Sequence, residues 1–454
     1  MTPTQALAQH IAETPRAWPD AVVQRARLAF IDTIGCMLAG HSSPQTGQAS
    51  RTARFTAPGR IMMPGANLPL SPSGAALVGG TAAHSLEHDD VFEPLRSHPS
   101  AVLVPAILAA RLLANSDGAD LLDAYVIGLD AQAVIAGISG EEHYKRGWHS
   151  TSTAGSIAAA AAVARLLRLT SDQATSALAL ALGMAAGSRR ETGWPAEALL
   201  AGMAAQNGVM AALLARSGAR ARPGALEGVW GFTGIYNGSC PAETALPPLA
   251  QLTPSIDNPG LWSKPYPCSI ATHRAIDAIL DLKRQGNLPP DGIDRIEVTV
   301  SDVEAQSLTG DDTTTGPATA RFDMSHCVAV AVLHEPTEEA PFSDPQIINS
   351  TRMQHLRSKV SVHSHSHGST GPEQDWAEVR IRPKQGNALS KRITYSLGHP
   401  QNPMDEDAIR RKYARGSANV LSLGQIERTL DVLLHLGETP VDPLFFDQFA
   451  APSH

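Results

Sequence analysis

From residue 75 to residue 218 the chain repeats one pattern: six alanine- and leucine-rich segments, at 75–87, 101–113, 117–138, 154–167, 171–186 and 197–218. Alanine is the strongest helix former and carries nothing beyond Cβ, so helices rich in it can pack closely. An all-helical body follows, with the alanine richness itself structural. Upstream, residues 21–40 place Leu28, Ile31, Ile34 and Leu38 at spacings of three and four and end at Gly40, an amphipathic helix. A Pro/Gly-rich connection around 57–66 separates it from the rest.

The pattern changes after Trp262. Residues 274–285 still read as a helix, but 295–300, 378–382 and 392–396 alternate as strands. Helical periodicity returns over 405–437. The expected fold is therefore mainly α: a large all-helical domain built from both chain ends (1–262 and 400–454) plus a smaller α+β domain (263–399). The tail from Asp442 to His454 reads as loosely held.

Composition closes several routes. The net charge is −8 in 454 residues and no long Lys/Arg block occurs, so no nucleic-acid surface is expected. The four cysteines, Cys36, Cys240, Cys268 and Cys327, are widely spaced and form no CxxC pair, which is cytosolic usage. Residues 1–16 lack the basic start and apolar run of a signal peptide, so a cytoplasmic location is expected. Apolar stretches such as 157–163 and 178–186 fall short of the roughly 18 residues of a membrane span, and no membrane is expected.

Chemistry concentrates between His84 and His98. Three imidazoles (His84, His88, His98), four carboxylates (Glu87, Asp89, Asp90, Glu93) and Arg96 directly precede the apolar run 101–110. Such crowding at the entry to a buried helix displaces pKa values, as acid/base chemistry requires; the alternative is a solvated charged loop. His98 precedes Pro99, and Ser100 is placed to cap the following helix. His149 stands before a Ser/Thr-rich helix entrance, Lys264 lies ahead of the 274–285 helix, and His326 opens the apolar run 327–333. If these four converge, helix N-termini would give them an anion site; singly, each is more often a capped helix-entry residue. The tract His363-Ser364-His365-Ser366-His367 lacks a carboxylate or Cys partner and reads as an exposed loop, and no metal site is expected there. The Gly228–Gly231 segment follows no strand and fits no nucleotide fingerprint.

An ordered set of motifs resembles the MmgE/PrpD family of 2-methylcitrate dehydratases, cis-aconitate decarboxylases and iminodisuccinate epimerases. It comprises Asp32-Thr33-Ile34-Gly35, Gly80-Thr81-Ala82-Ala83-His84 through Asp89-Asp90, His98-Pro99-Ser100, Gly147-Trp148-His149-Ser150-Thr151, Leu226-Glu227-Gly228, Lys264-Pro265-Tyr266-Pro267-Cys268 and Cys327-Val328-Ala329-Val330-Ala331. The resemblance implies a helical domain with an α+β lid, a homodimer, and an active site between the domains. It implies proton removal or addition next to a carboxylate of a small di- or tricarboxylate, with no organic cofactor and no metal.

Carried over by position, His98, His149 and Lys264 match family active-site residues. Glu87 stands for a family Asp, and Asp90 belongs to the same double-Asp motif. His98 or His149 would be base or acid, and Lys264 the carboxylate clamp. Glu197 stands where the family has a Lys, Ser269 where the decarboxylases have a His, His326 where a Tyr is common, and Val91 where the decarboxylases have a Thr. The expected activity is a hydro-lyase of the 2-methylcitrate dehydratase type. Epimerisation of an amino- or imino-dicarboxylate is the first alternative, cis-aconitate-type decarboxylation the second, and a non-catalytic binding or structural member the third. Asp90, Glu197 and Ser269 are expected at the substrate, His326 and Glu87 in catalysis, and Arg96, Lys145, Arg146, Arg189 and Arg190 as compensating cations.

Overall fold

The computed structural model describes residues 1–55, 58–238, 253–286, 289–308, 316–366 and 375–450. The chain divides into two compact units, Met1–Trp262 with Asp405–His454, and Ser263–Met404.

The first unit is helical, as its sequence pattern requires. Its helices are α1 (Pro3–Glu13), α2 (Asp20–Gly40), α3 (Pro44–Ala53), α4 (Pro72–His84), α5 (Ser100–Ala114), α6 (Gly118–Ser139), the short α7 (Glu142–Lys145), α8 (Ser150–Leu166), α9 (Ser171–Met184) and α10 (Ala196–Arg216). Starts are marked by local chemistry: Ser71 Oγ accepts from the Gly74 N–H at 3.2 Å, and Asp117 and Thr170 open capping boxes. Small residues set the spacing of α4, α8 and α10. A Cβ on Gly202 of α10 would lie 2.4 Å from the Leu77 carbonyl oxygen, and one on Gly208 would lie 2.3 Å from the Ala159 Cβ. Glu406–Ser417 and Leu423–Leu434 pack back on α2, with Gly35 beneath Tyr413.

Three expectations for this unit are corrected. Ser100 does not cap α5; it is the first helical residue, and the Asp90 carboxylate accepts its N–H and hydroxyl. The tail is not loose over the described residues to 450. Pro443–Phe449 form a 3-10 turn that buries Phe445, Phe446 and Phe449, and the Arg111 guanidinium holds Asp447 at 2.6 Å. Finally, α6 and α10 are long and apolar enough to cross a membrane; 89% and 56% of their most apolar stretches are buried within the fold.

The second unit holds one sheet of β1 (Ile293–Ser301), β2 (Val360–His365), β3 (Ala377–Pro383) and β4 (Leu389–Ile393), in the order β2-β1-β3-β4. Strands β1 and β2 run parallel; β1 with β3 and β3 with β4 run antiparallel. Helices His273–Gln285 and Met324–Leu333 contribute Ile276, Ile279, Val328 and Val330 to a core shared with Val298, Val379 and Ile381. Strand β4 lies three residues before its expected position. The histidine tract is not a loop: its first part is edge strand β2, with His363 exposed and His365 stacked on Trp376 at 4.0 Å. His367 lies outside the described residues, as does Cys240; Cys36, Cys268 and Cys327 are buried free thiols.

Candidate active site

The site in the first unit is built where α4 stops. Helix α4 ends at His84, three residues earlier than its pattern suggests, and the chain turns back through Glu87 at φ +54°. A second left-handed residue, Arg96 at φ +49°, closes the loop before His98. Two non-glycine residues in that region within ten positions are a strained arrangement, of the kind that clusters at working sites. The reversal puts Asp89 under His84, with Nδ1 to Oδ2 at 2.8 Å and both side chains buried. His98 brings its Nδ1 to 3.4 Å from the same Asp89 oxygen and its Nε2 to 3.8 Å from Glu87 Oε1. The His84 and His98 rings lie 4.6 Å apart.

Two further helix starts complete the cluster. His149 is the N-cap residue of α8, and its N–H donates to the Gly187 carbonyl at 3.1 Å. Its Nε2 lies 3.5 Å from Oε1 of Glu197, in the first turn of α10. The other Glu197 oxygen accepts the Gly193 N–H at 2.8 Å. Thr151 in the first turn of α8 accepts the His98 N–H at 3.0 Å and ties the two halves together. The His84 and His149 rings are 6.3 Å apart.

Burial alone would push His84 down, but the charge and hydrogen bond of Asp89, aided by Glu87 and Glu197, outweigh it and raise the group to about 9. His84 is thus an imidazolium paired with Asp89 at neutral pH. Its Nε2 and the Nδ1 of His149 are buried without a hydrogen-bond partner among the described residues. Two sets of side chains have metal-ligating atoms within 4.8 Å of one another: His84, Asp89 and His98, and His84, His149 and Glu197.

Asp90 faces the other way. Beyond its hold on Ser100, whose hydroxyl lies 2.6 Å from the Tyr125 hydroxyl, it anchors the start of α5. Burial pushes its carboxyl up to about 7, with Asp32 and Asp89 adding to the rise and the Ser100 hydrogen bonds opposing it. A folded-state value above the unfolded one favours folding fully below pH about 3.8 and loses that contribution as pH rises through about 7. Asp90→Asn is therefore expected to flatten the fall in thermal midpoint between pH 5 and 8; a variant as pH-sensitive as the parent would contradict this assignment.

Of the five candidate cations, Lys145 and Arg146 face Glu141 at 2.7 Å and Glu142 at 3.8 Å on the exposed α7 turn. Arg96 and Arg189 instead meet over the Tyr144 ring, at 4.9 and 3.6 Å from its centroid. Both lie on segments that carry site residues, since Arg189 follows the Gly187 carbonyl bound by His149.

Lys264, Ser269 and His326 belong to the second unit. Lys264 is fully buried. Ser269 donates its N–H to the Arg321 carbonyl and accepts the Thr272 hydroxyl at its own carbonyl. His326 is packed inside that unit's core, its Nε2 at 2.9 Å from the Pro341 carbonyl and its ring against Phe342. Burial pushes it down to about 4, so it is neutral.

Two partnerships were not singled out from sequence. His84 belongs to the crowded stretch but not to the expected site residues, although only four residues separate it from Asp89 across a helix end, the spacing a tight reversal brings together. Lys412 is buried with its Nζ 2.6 Å from Asp32 Oδ1 and donates to the His88 carbonyl at 2.6 Å. No local signal joins residues 380 positions apart.

The comparisons agree with this architecture. Residues 5–244 match the MmgE/PrpD N-terminal domain and residues 266–436 the MmgE/PrpD C-terminal domain. The chain is 25% identical to a human cis-aconitate decarboxylase over 429 residues, covering 92% of this chain and 88% of the relative. It is 26% identical to cis-aconitate decarboxylase of Aspergillus terreus over 451 residues, covering 94% and 91%. It is 23% identical to a mitochondrial 2-methylcitrate dehydratase of Yarrowia lipolytica over 441 residues, covering 90% and 82%. With both family domains matched in order, the chain belongs to the MmgE/PrpD family.

Proposed function

We propose that the protein is a lyase that removes a proton next to a carboxylate of a small hydroxy-polycarboxylate and expels water from the neighbouring carbon. The observation that carries this reading is the pair of carboxylate–imidazole couples, His84–Asp89 and His149–Glu197, with rings 6.3 Å apart. Dehydration needs a base for the C–H proton and an acid for the departing hydroxyl. Glu197 beside Nε2 of His149 holds the proton on that nitrogen and leaves Nδ1 as the base. The His84 imidazolium, fixed through Nδ1, donates through Nε2 to the leaving oxygen. Glu197 thus acts on His149, in place of the substrate contact expected from sequence. Arg96 and Arg189 supply positive charge for the substrate's carboxylates.

Decarboxylation is the second reading, favoured by the relatives named cis-aconitate decarboxylases. It needs one proton donor for the allylic carbanion left when the C–C bond to carbon dioxide breaks, which the His84–Asp89 couple also provides. Proton NMR in deuterium oxide, with 2-methylcitrate, citrate, cis-aconitate and amino- or imino-dicarboxylates, separates the readings. The expected result is loss of water with deuterium exchange next to a carboxylate, reduced about 10²-fold or more in His149→Ala. Loss of carbon dioxide from cis-aconitate would replace the first reading with the second, and no turnover or exchange with any compound would refute both.

A further inference from the structure

Three helices deliver ligand-type side chains to one point. His84 ends α4, His149 caps α8 and Glu197 lies in the first turn of α10. One ligating atom from each lies within 4.8 Å of the other two, and all three residues are buried. Ligand atoms around a tetrahedral zinc ion stand about 3.4 Å apart, given metal–ligand bonds of about 2.0–2.1 Å. The His149–Glu197 distance of 3.5 Å already meets that spacing. Glycine-mediated contacts hold α10 close against α4 and α8, the helices that carry the other two side chains.

The surrounding groups match a metal site as well as the ligands do. Asp89 takes the Nδ1 side of His84 at 2.8 Å, while Nε2, buried and without a partner among the described residues, is the atom left for an ion. A carboxylate behind a ligating imidazole is the usual support of a metal-bound histidine, and Gly193 N–H supports Glu197 in the same way. Two imidazoles and one carboxylate suit Zn²⁺ or Co²⁺; Mg²⁺ and Ca²⁺ require an oxygen set. The competing set, His84, Asp89 and His98, would use Asp89 as a ligand and remove this support.

We propose that His84, His149 and Glu197 bind one zinc-type divalent ion, and that this ion inhibits the reaction by occupying Nε2 of His84, the proton donor assigned above, and by drawing Glu197 and Nε2 of His149 out of the pairing that leaves Nδ1 as the base. The inhibitory part rests on the proposed function; the binding part does not. Ion and substrate then exclude each other.

The test is equilibrium dialysis of the full chain against ZnCl₂ at pH 8 with metal counted by mass spectrometry, together with the visible spectrum of the Co²⁺-loaded protein. The background variant His363→Ala/His365→Ala removes the exposed imidazoles of β2. One ion per chain is expected, with visible cobalt bands of low-coordinate type. Affinity should fall at least tenfold in Glu197→Gln and in His84→Asn, about 10–100-fold in Asp89→Asn, and little in His98→Asn. In the deuterium-exchange assay, one equivalent of Zn²⁺ should suppress turnover and a chelator restore it. Absence of stoichiometric binding, or binding unchanged by Glu197→Gln, would overturn the site. Stoichiometric binding with full turnover retained would overturn the inhibition. Because dialysis uses no substrate, binding in a protein that turns over nothing would refute the proposed reaction and leave the site standing.

Discussion

Lys412→Met is expected to destabilise the protein by about 3–5 kcal/mol, the cost of removing one partner from a buried ion pair. The side chain is almost fully buried, its ammonium lies 2.6 Å from Asp32 Oδ1, and it also donates to the His88 carbonyl. Methionine preserves length and apolar packing, so the loss isolates the charge. What remains is the Asp32 carboxylate, buried without its cation in a region that also holds Asp89 and Asp90. Burial lowers the Lys412 value, but Asp32, with Cys36 and Asp89 adding to it, outweighs burial and raises it above the ordinary lysine value. A raised value means that the contribution is fully present below the unfolded pKa, so the destabilisation should hold undiminished from pH 5 to 9. Urea and thermal unfolding followed by circular dichroism would measure it. The double variant Lys412→Met/Asp32→Asn should recover most of the loss, since it also removes the stranded charge. A single variant within 1 kcal/mol of the parent would show that the pair contributes nothing net.

The same pair illustrates what the sequence could and could not convey. Helix-forming alanine over the six segments and the alternation of 295–300 are local signals, and each element they mark is present. Strand β2 escaped because an edge strand exposes Val362, His363 and Ser364, so its alternation is written in polar residues. The tail escaped because its anchor is distant: Arg111, some 330 positions earlier, holds Asp447 and the Pro443 carbonyl. The candidate site divides in the same way. His98 and His149 were legible from their place before helix starts. The Asp89–His84 couple depends on a left-handed turn at Glu87, a residue type that seldom adopts one. Glu197 stood out as a charge reversal against the family, yet its position against His149 follows from the packing of α10 on α8, which only the fold reveals.

Asp89→Asn should lower kcat of the proposed reaction by about 10³-fold or more while changing KM by less than about tenfold, the pattern left by losing a charged partner that fixes a proton-transferring imidazole. One Asp89 oxygen lies 2.8 Å from Nδ1 of His84 and 3.4 Å from Nδ1 of His98, so a single carboxylate orients two rings. An asparagine oxygen can still accept from one Nδ1–H, but it carries no charge to hold the His84 imidazolium, and its amide group donates where an acceptor is needed. The departing hydroxyl would then lose its proton donor while the substrate's carboxylates kept Arg96 and Arg189, which is why kcat falls and KM does not. Folding should survive, because a neutral isostere also relieves the cost of a buried carboxylate. Asp89→Glu, which restores charge at a displaced position, should recover part of the rate. Steady-state kinetics on both variants, with thermal midpoints as the control for folding, decide the matter. A kcat within tenfold of the parent in a folded Asp89→Asn protein would remove the His84–Asp89 couple from the chemistry and leave His149 and Glu197 to carry it alone.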